Sequence, residues 1–150
     1  MRKILIHLVF IAAVAGFGIL SGFLNLPGEW YQSLQKPFFN PPAWVFAPAW
    51  TTLYVLIGIA GARTWLRAPG SAAMQIWFAQ MALNLLWSPA FFGYHSPVAG
   101  LFVIVAMLLA ILSFIATVRH IDRTAAWLFV PYALWVSFAT TLNLAILLLN

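Results

Sequence analysis

Apolar residues run almost unbroken through five stretches of this chain, with short clusters of charge, proline and glycine between them. The stretches cover residues 4–24, 44–65, 72–92, 97–118 and 125–149. Each is about as long as the ~20 residues a helix needs to cross a bilayer's hydrocarbon. None alternates apolar and polar positions with period two, so a barrel of strands is disfavoured. The breaks carry local stop and start chemistry. Asn25-Leu26-Pro27-Gly28 ends the first stretch, and Arg67-Ala68-Pro69-Gly70-Ser71 separates the second from the third. Ser96-Pro97 places an N-cap before a proline at the first helical position. The pattern predicts an all-α, polytopic membrane protein: residues 1–150 as one domain, a bundle of five transmembrane helices.

Charge gives the bundle a direction. Only 6% of residues are charged, where a soluble domain carries about 25%. Arg2, Lys3, Arg63, Arg67, Arg119 and Arg123 fall at one end of the predicted spans, with Asp122 among them; the other end holds Lys36 and Glu29. Excess positive charge marks the cytoplasmic side. The N-terminus and the second and fourth connections are therefore expected in the cytoplasm, and residues 25–43 on the opposite face. These cations flank apolar runs and form no stripe that could neutralise phosphates, so nucleic acid is not an expected partner. Arg2-Lys3 followed by an apolar run and Ala13-Val14-Ala15 resembles a cleavable signal peptide. The apolar run continues to Leu24, long enough to span, so a retained first helix is expected.

Acid–base and metal chemistry find no foothold. Glu29 and Asp122 belong to opposite ends, and His7, His95 and His120 share no ligand spacing. The chain has no cysteine, so no disulfide or thiolate is available. No His and Asp reach the same face to activate a serine, and no glycine-rich phosphate cradle appears. No catalytic residue and no metal site are expected.

Aromatic and amide side chains do recur at helical spacing. Phe46, Trp50 and Tyr54 share one face of the second span. Gln80, Asn84, Trp87 and Phe91 share a face of the third, and Trp127, Pro131, Trp135, Ala139 and Asn143 a face of the fifth. Before the second span, Trp30, Tyr31 and Trp44 sit in a connection stiffened by Pro37, Pro41 and Pro42. Any one of these has an ordinary explanation. Trp and Tyr collect at membrane interfaces, and buried amides bond helix to helix. Taken together, three such faces converging under one loop predict a flat-walled, sparsely polar pocket for a planar, poorly soluble ligand. Residues 25–43 would form its lid. Gly18 and Gly22 form a Gly-x-x-x-Gly pair that suits either packing inside the bundle or a dimer seam.

The motifs Trp30-Tyr31-x-x-Leu34-x-Lys36-Pro37, Pro41-Pro42-x-Trp44-Val45 and Trp50-Thr51-x-Leu53-Tyr54 closely resemble the translocator protein family. Its bacterial members are called tryptophan-rich sensory proteins and its animal members peripheral benzodiazepine receptors. Gln80 to Gly93 is similar to the family's third helix, and Pro131-Tyr132-x-x-Trp135 with Thr140-Thr141-Leu142-Asn143 to its fifth. The resemblance implies a five-helix membrane protein, often a homodimer, that binds porphyrins such as protoporphyrin IX and haem as ligands, with no obligatory cofactor. It places Trp30, Tyr31, Phe46, Trp50, Tyr54, Asn84, Trp87, Phe91, Trp135, Ala139 and Asn143 around the ligand. Stacking on Trp50 and Trp135 would supply affinity, and the amides would orient the ligand. Two departures matter. Phe38-Phe39 follows Lys36-Pro37, where bacterial relatives often carry Trp. The chain also lacks the Tyr and Arg of the animal cholesterol motif after Asn143, so a bacterial member is expected. The implied function is a membrane receptor, sensor or carrier for tetrapyrroles. The alternatives are light- or oxygen-dependent porphyrin breakdown and a structural membrane adaptor.

Overall fold

A computed structural model describes residues 1–150, and every regular element in it is helical. The first span is α1, Arg2–Leu24, and it stops where Asn25 closes on the Gly22 carbonyl and Pro27 follows. A short helix α2, Glu29–Ser33, lies within the first connection. After Pro41-Pro42 the chain makes a 3-10 turn, Ala43–Val45, and enters α3, Phe46–Arg67. Pro48 is harmless in the first turn of α3, where backbone N–H groups have no helical acceptor anyway. Ser71 caps α4, Ala72–Ser88, accepting from the Met74 N–H at 3.2 Å. A π turn, Pro89–Gly93, extends it. Ser96 caps α5, Pro97–Val118, accepting from the Ala99 N–H at 3.0 Å, as the Ser96-Pro97 pair predicts. Asp122 caps α6, Arg123–Leu128, and α7, Val130–Leu149, follows after Phe129.

Four stretches are long and apolar enough to cross a membrane: Arg2–Leu24, Ala43–Arg67, Pro97–Val118 and Arg123–Leu149. The expected five uninterrupted helices are corrected in two places, each at a proline. The third predicted span, 72–92, is α-helical only to Ser88. Pro89 has no N–H to donate to the Leu85 carbonyl, and the chain widens into i→i+5 bonding, with the Tyr94 N–H on the Pro89 carbonyl at 2.9 Å. The fifth, 125–149, breaks at Phe129 because Pro131 cannot donate to the Trp127 carbonyl.

Around the bundle the neighbours run α1, α3, α6 with α7, α5, α4 and back to α1. The shared core holds Ile57, Trp77, Ile104, Met107, Phe114 and Tyr132. Small residues let α1 and α4 approach α3. A Cβ on Gly58 would come within 2.7 Å of the Ile11 Cα, and one on Gly61 within 2.5 Å of the Trp77 ring. Outside, large apolar side chains such as Leu109, Leu134 and Phe102 (76% exposed) face away from the protein. That outward face suits hydrocarbon rather than water.

The relative ends agree with the charge reading. Asp122 accepts from Arg63 Nε at 2.6 Å and Arg63 Nη2 at 3.1 Å, and lies 3.4 Å from Arg67 Nε. The second and fourth connections therefore share one end. The last residue lies at the other end, against the loop: Gln35 N–H donates to Asn150 Oδ1 at 3.0 Å, and Asn150 Nδ2 donates to the Gln35 carbonyl at 2.9 Å.

Candidate functional site

Aromatic side chains of the three predicted faces gather in two layers, and Trp87 packs against the core clusters of both. The inner layer is built by α3, α4 and α7. The Trp50 ring lies 5.7 Å from Tyr54, 6.4 Å from Tyr132 and 6.4 Å from Trp135. Phe46 meets Trp135 edge to face at 5.9 Å. Tyr54 covers Gly18 of α1, where any Cβ would collide with its ring. Gly18 is thus used inside the bundle, while Gly22 has open space beside it. Trp50 and Trp135 stand at 87° to each other, so they do not form two parallel walls. A flat molecule on one indole face would meet the edge of the other.

Beneath them Tyr132 is fully buried between two amides. Asn84 Nδ2 donates to the Tyr132 hydroxyl at 2.6 Å, and that hydroxyl donates to Gln80 Oε1 at 2.9 Å. Buried polar groups require such partners, and these bonds tie α4 to α7. The sequence pattern singles out Asn84 but misses Tyr132 as its partner. The available signal was a tyrosine one position beyond Pro131, with a polar tip that must be satisfied when buried.

The outer layer lies under the loop. Trp87 stacks on Phe91 at 5.1 Å and 24°, and its Nε1 donates to Asn143 Oδ1 at 3.2 Å. Asn143 Nδ2 donates in turn to the Pro97 carbonyl at 2.9 Å. Gly100 makes room for this: a Cβ there would lie 2.7 Å from Phe91 and 2.9 Å from Asn143 Oδ1. Ala139 is half-buried on the same helix between Trp135 and Asn143. Trp30 and Tyr31, from α2, press their rings edge-on against Phe91 at 5.7 and 6.2 Å. Trp30 also stacks on His95, 4.7 Å away and 6° from parallel. Burial pushes the Tyr31 phenol above its ordinary pKa.

The connection is held in place over these rings. Lys36 Nζ donates to the Tyr31 carbonyl at 2.8 Å and to the Leu34 carbonyl at 3.2 Å, with its charge 4.5 Å from the Tyr31 ring centre. Phe39 rests on Phe138 at 6.2 Å.

The predicted faces gain one detail and one correction. Asn84 Nδ2 and both polar atoms of the Asn143 side chain bond to protein partners. The buried side-chain atoms left without a partner are Gln80 Nε2, Trp135 Nε1 and Asn40 Oδ1. The stripe predicted for the fifth span does not begin at Trp127, which lies in α6 and is 71% exposed. Steps of four residues rotate about 40° past a full turn each time, and the break at Phe129 adds to the drift.

Between α3 and α7 a groove of about 430 Å³ opens on the outside of the bundle, lined by Trp44, Val45, Pro48, Ala49, Thr52, Leu53, Pro131 and Trp135. Trp135 thus touches both the groove and the inner aromatic layer. The carboxylates stay apart: Glu29 belongs to α2 at the loop end and Asp122 is bound by Arg63 at the other.

The sequence itself is similar to those of known proteins. The chain is 42% identical over 144 residues to tryptophan-rich protein TspO of Archaeoglobus fulgidus, covering 93% of this chain and 94% of that one. It is 39% identical over 145 residues to the tryptophan-rich sensory protein of Cereibacter sphaeroides, covering 97% and 91%. To the human translocator protein it is 33% identical over 141 residues, covering 89% and 82%. A profile of the TspO/MBR family matches residues 9–149, and the chain belongs to that family.

Proposed function

We propose that this chain is a membrane receptor for porphyrins, such as protoporphyrin IX or haem, and for related planar hydrophobic molecules. It would act as a sensor or carrier rather than as an enzyme. One observation carries the reading. Trp50, Phe46 and Trp135 cross at one place, and there Trp135 Nε1 is a buried donor without a protein partner; Gln80 Nε2, on the amide that accepts from Tyr132, is another. An unsatisfied buried donor costs about 1–3 kcal/mol. A ligand acceptor reaching that donor would recover part of this, while the indole faces supply apolar contact. The proposed walls are the eleven residues named from the sequence, with Tyr132 and Gln80 added. The groove beside Trp135 supports entry from the bilayer.

The proposal extends to the membrane arrangement. Helix α4 with its π turn would make a fifth crossing, with the N-terminus cytoplasmic and residues 25–43 facing away from it, in a bacterial membrane. The protein would work as a homodimer. The names of its relatives, sensory protein and translocator protein, fit a role in receiving or moving a small molecule.

Titration of the detergent-solubilised protein with protoporphyrin IX tests the site. Saturable quenching of tryptophan fluorescence is expected, and it should weaken at least tenfold in a Trp50→Phe, Trp135→Phe double variant. Unchanged affinity in that variant removes the site. Illumination of the complex separates receptor from enzyme: the porphyrin absorption band should fade no faster than without protein.

A further inference from the structure

A second cavity lies at the opposite end of the molecule from the aromatic loop. It occupies about 680 Å³ between the start of α1 and the end of α3, lined by Met1, Arg2, Lys3, Trp65, Leu66 and Pro69. Its volume falls within the range of about 300–1,000 Å³ typical of small-molecule sites. The lining divides in two: Arg2 and Lys3 supply charge, and Trp65 and Leu66 supply apolar surface.

The cations here have no carboxylate partner. The one acid at this end, Asp122, is taken by Arg63 at 2.6 Å and Arg67 at 3.4 Å, and Glu29 belongs to the far end. The groove therefore presents two uncompensated positive charges. Its apolar wall is fixed in place. The Trp65 ring packs on Phe10 at 6.2 Å, and Phe10 packs edge-on to Trp77 at 5.4 Å in the core. The Lys3 carbonyl also lies 2.8 Å from His7 Nδ1, one turn along α1.

A ligand that fits must carry a negative group toward Arg2 and Lys3 and apolar chains toward Trp65. It must also reach the boundary where membrane-spanning helices end. We propose that this groove binds the headgroup of an anionic phospholipid. The phosphate and a polar headgroup would sit between Arg2 and Lys3, with the acyl chains running along the exposed side of α1, past Leu5 and Leu8. Basic pockets between helix ends recognise such headgroups by charge, and interfacial tryptophan suits the glycerol level. The inference needs only a membrane-spanning chain and is independent of the porphyrin reading.

Native mass spectrometry of the full chain with phosphatidylglycerol or phosphatidylcholine tests it. Phosphatidylglycerol should be retained in preference. An Arg2→Gln, Lys3→Gln double variant should weaken that retention about tenfold or more, since each cation near an anionic headgroup contributes a factor of about five. An Arg119→Gln, Arg123→Gln variant removes the same charge from the same end without touching the groove, and should change retention less than twofold. Equal loss in both variants would mean a diffuse field and overturn the site, as would equal retention of phosphatidylcholine. Displacement by free glycerol phosphate would assign the site to a soluble phosphate ester instead. A second readout avoids the cation variants. Brominated phosphatidylglycerol should quench the wild type more than a Trp65→Phe variant, and brominated phosphatidylcholine should not distinguish them. Identical quenching by both lipids would also overturn the proposal.

Discussion

Asn84 on α4 donates its side-chain amide to the Tyr132 hydroxyl on α7 at 2.6 Å, and the same hydroxyl donates to Gln80. Three side chains thus form one buried network, with Gln80 Nε2 left without a protein partner. Tyr132→Phe removes the shared hydroxyl and leaves the Asn84 donor and the Gln80 acceptor stranded. A loss of about 1–2 kcal/mol is expected in equilibrium unfolding from mixed micelles. Asn84→Ala should cost a similar amount. The double variant should cost clearly less than the sum, because both changes break one network.

The two glycines of α1 predict opposite outcomes. Gly18→Ala drives a methyl group into the Tyr54 ring, and overpacking of this kind costs about 1–3 kcal/mol. Gly22→Ala meets open space and should change stability by less than about 0.5 kcal/mol. If α1 forms a dimer seam through Gly22, its alanine variant would shift the monomer–dimer balance on analytical ultracentrifugation while leaving the monomer's stability unchanged.

Trp135→Phe separates binding from folding. Its Nε1 has no partner, so losing that donor sacrifices no internal hydrogen bond. The smaller ring gives up some packing against Phe46, Trp50 and Phe138, so a modest stability loss of about 1–2 kcal/mol is expected, with the fold retained. Porphyrin affinity should fall about five- to tenfold by fluorescence titration if a ligand acceptor uses the donor, the worth of about one hydrogen bond. Gln80→Leu tests the neighbouring donor, though it also removes the acceptor that Tyr132 uses and should cost stability as well.

The start of α5 was legible in the sequence because its cause is local: Ser96 caps it through its own side-chain oxygen. Ser71 and Asp122 cap α4 and α6 in the same way, which the sequence reading did not assign. The convergence of Phe46, Trp50, Trp87, Phe91 and Trp135 was legible from spacing. The π turn after Pro89 and the break at Phe129 were not, because a hydrophobicity count passes over proline when its neighbours stay apolar. The partners of the amides were also hidden. That Asn84 and Asn143 could bond helix to helix was readable, but which groups they meet, the Tyr132 hydroxyl, the Trp87 indole and the Pro97 carbonyl, depends on distances between helices. Gly100 shows the same limit: it has no role in its own helix, yet it makes room for Phe91 and Asn143.

The Asp122 pair predicts a pH effect. Hydrogen bonds from the Arg63 guanidinium hold the Asp122 carboxyl below its ordinary value, against the opposing effect of burial, and Arg67 adds to the lowering. A carboxylate whose pKa is lowered on folding contributes stability that is fully present above its unfolded value, about 3.9. That contribution disappears as the pH falls through the lower native value. Unfolding measured between pH 6 and pH 3 should therefore lose stability at the acid end. An Asp122→Asn variant should be less stable at pH 6 and show a flatter profile below pH 4.

Proline at position 89 leaves the Leu85 carbonyl without its helical partner, and Ser21 Oγ of α1 donates to it at 3.0 Å. A carbonyl shut away from water without a donor is costly. The hydroxyl of α1 thus supplies what the proline of α4 cannot, and the bend in α4 is the joint property of two helices.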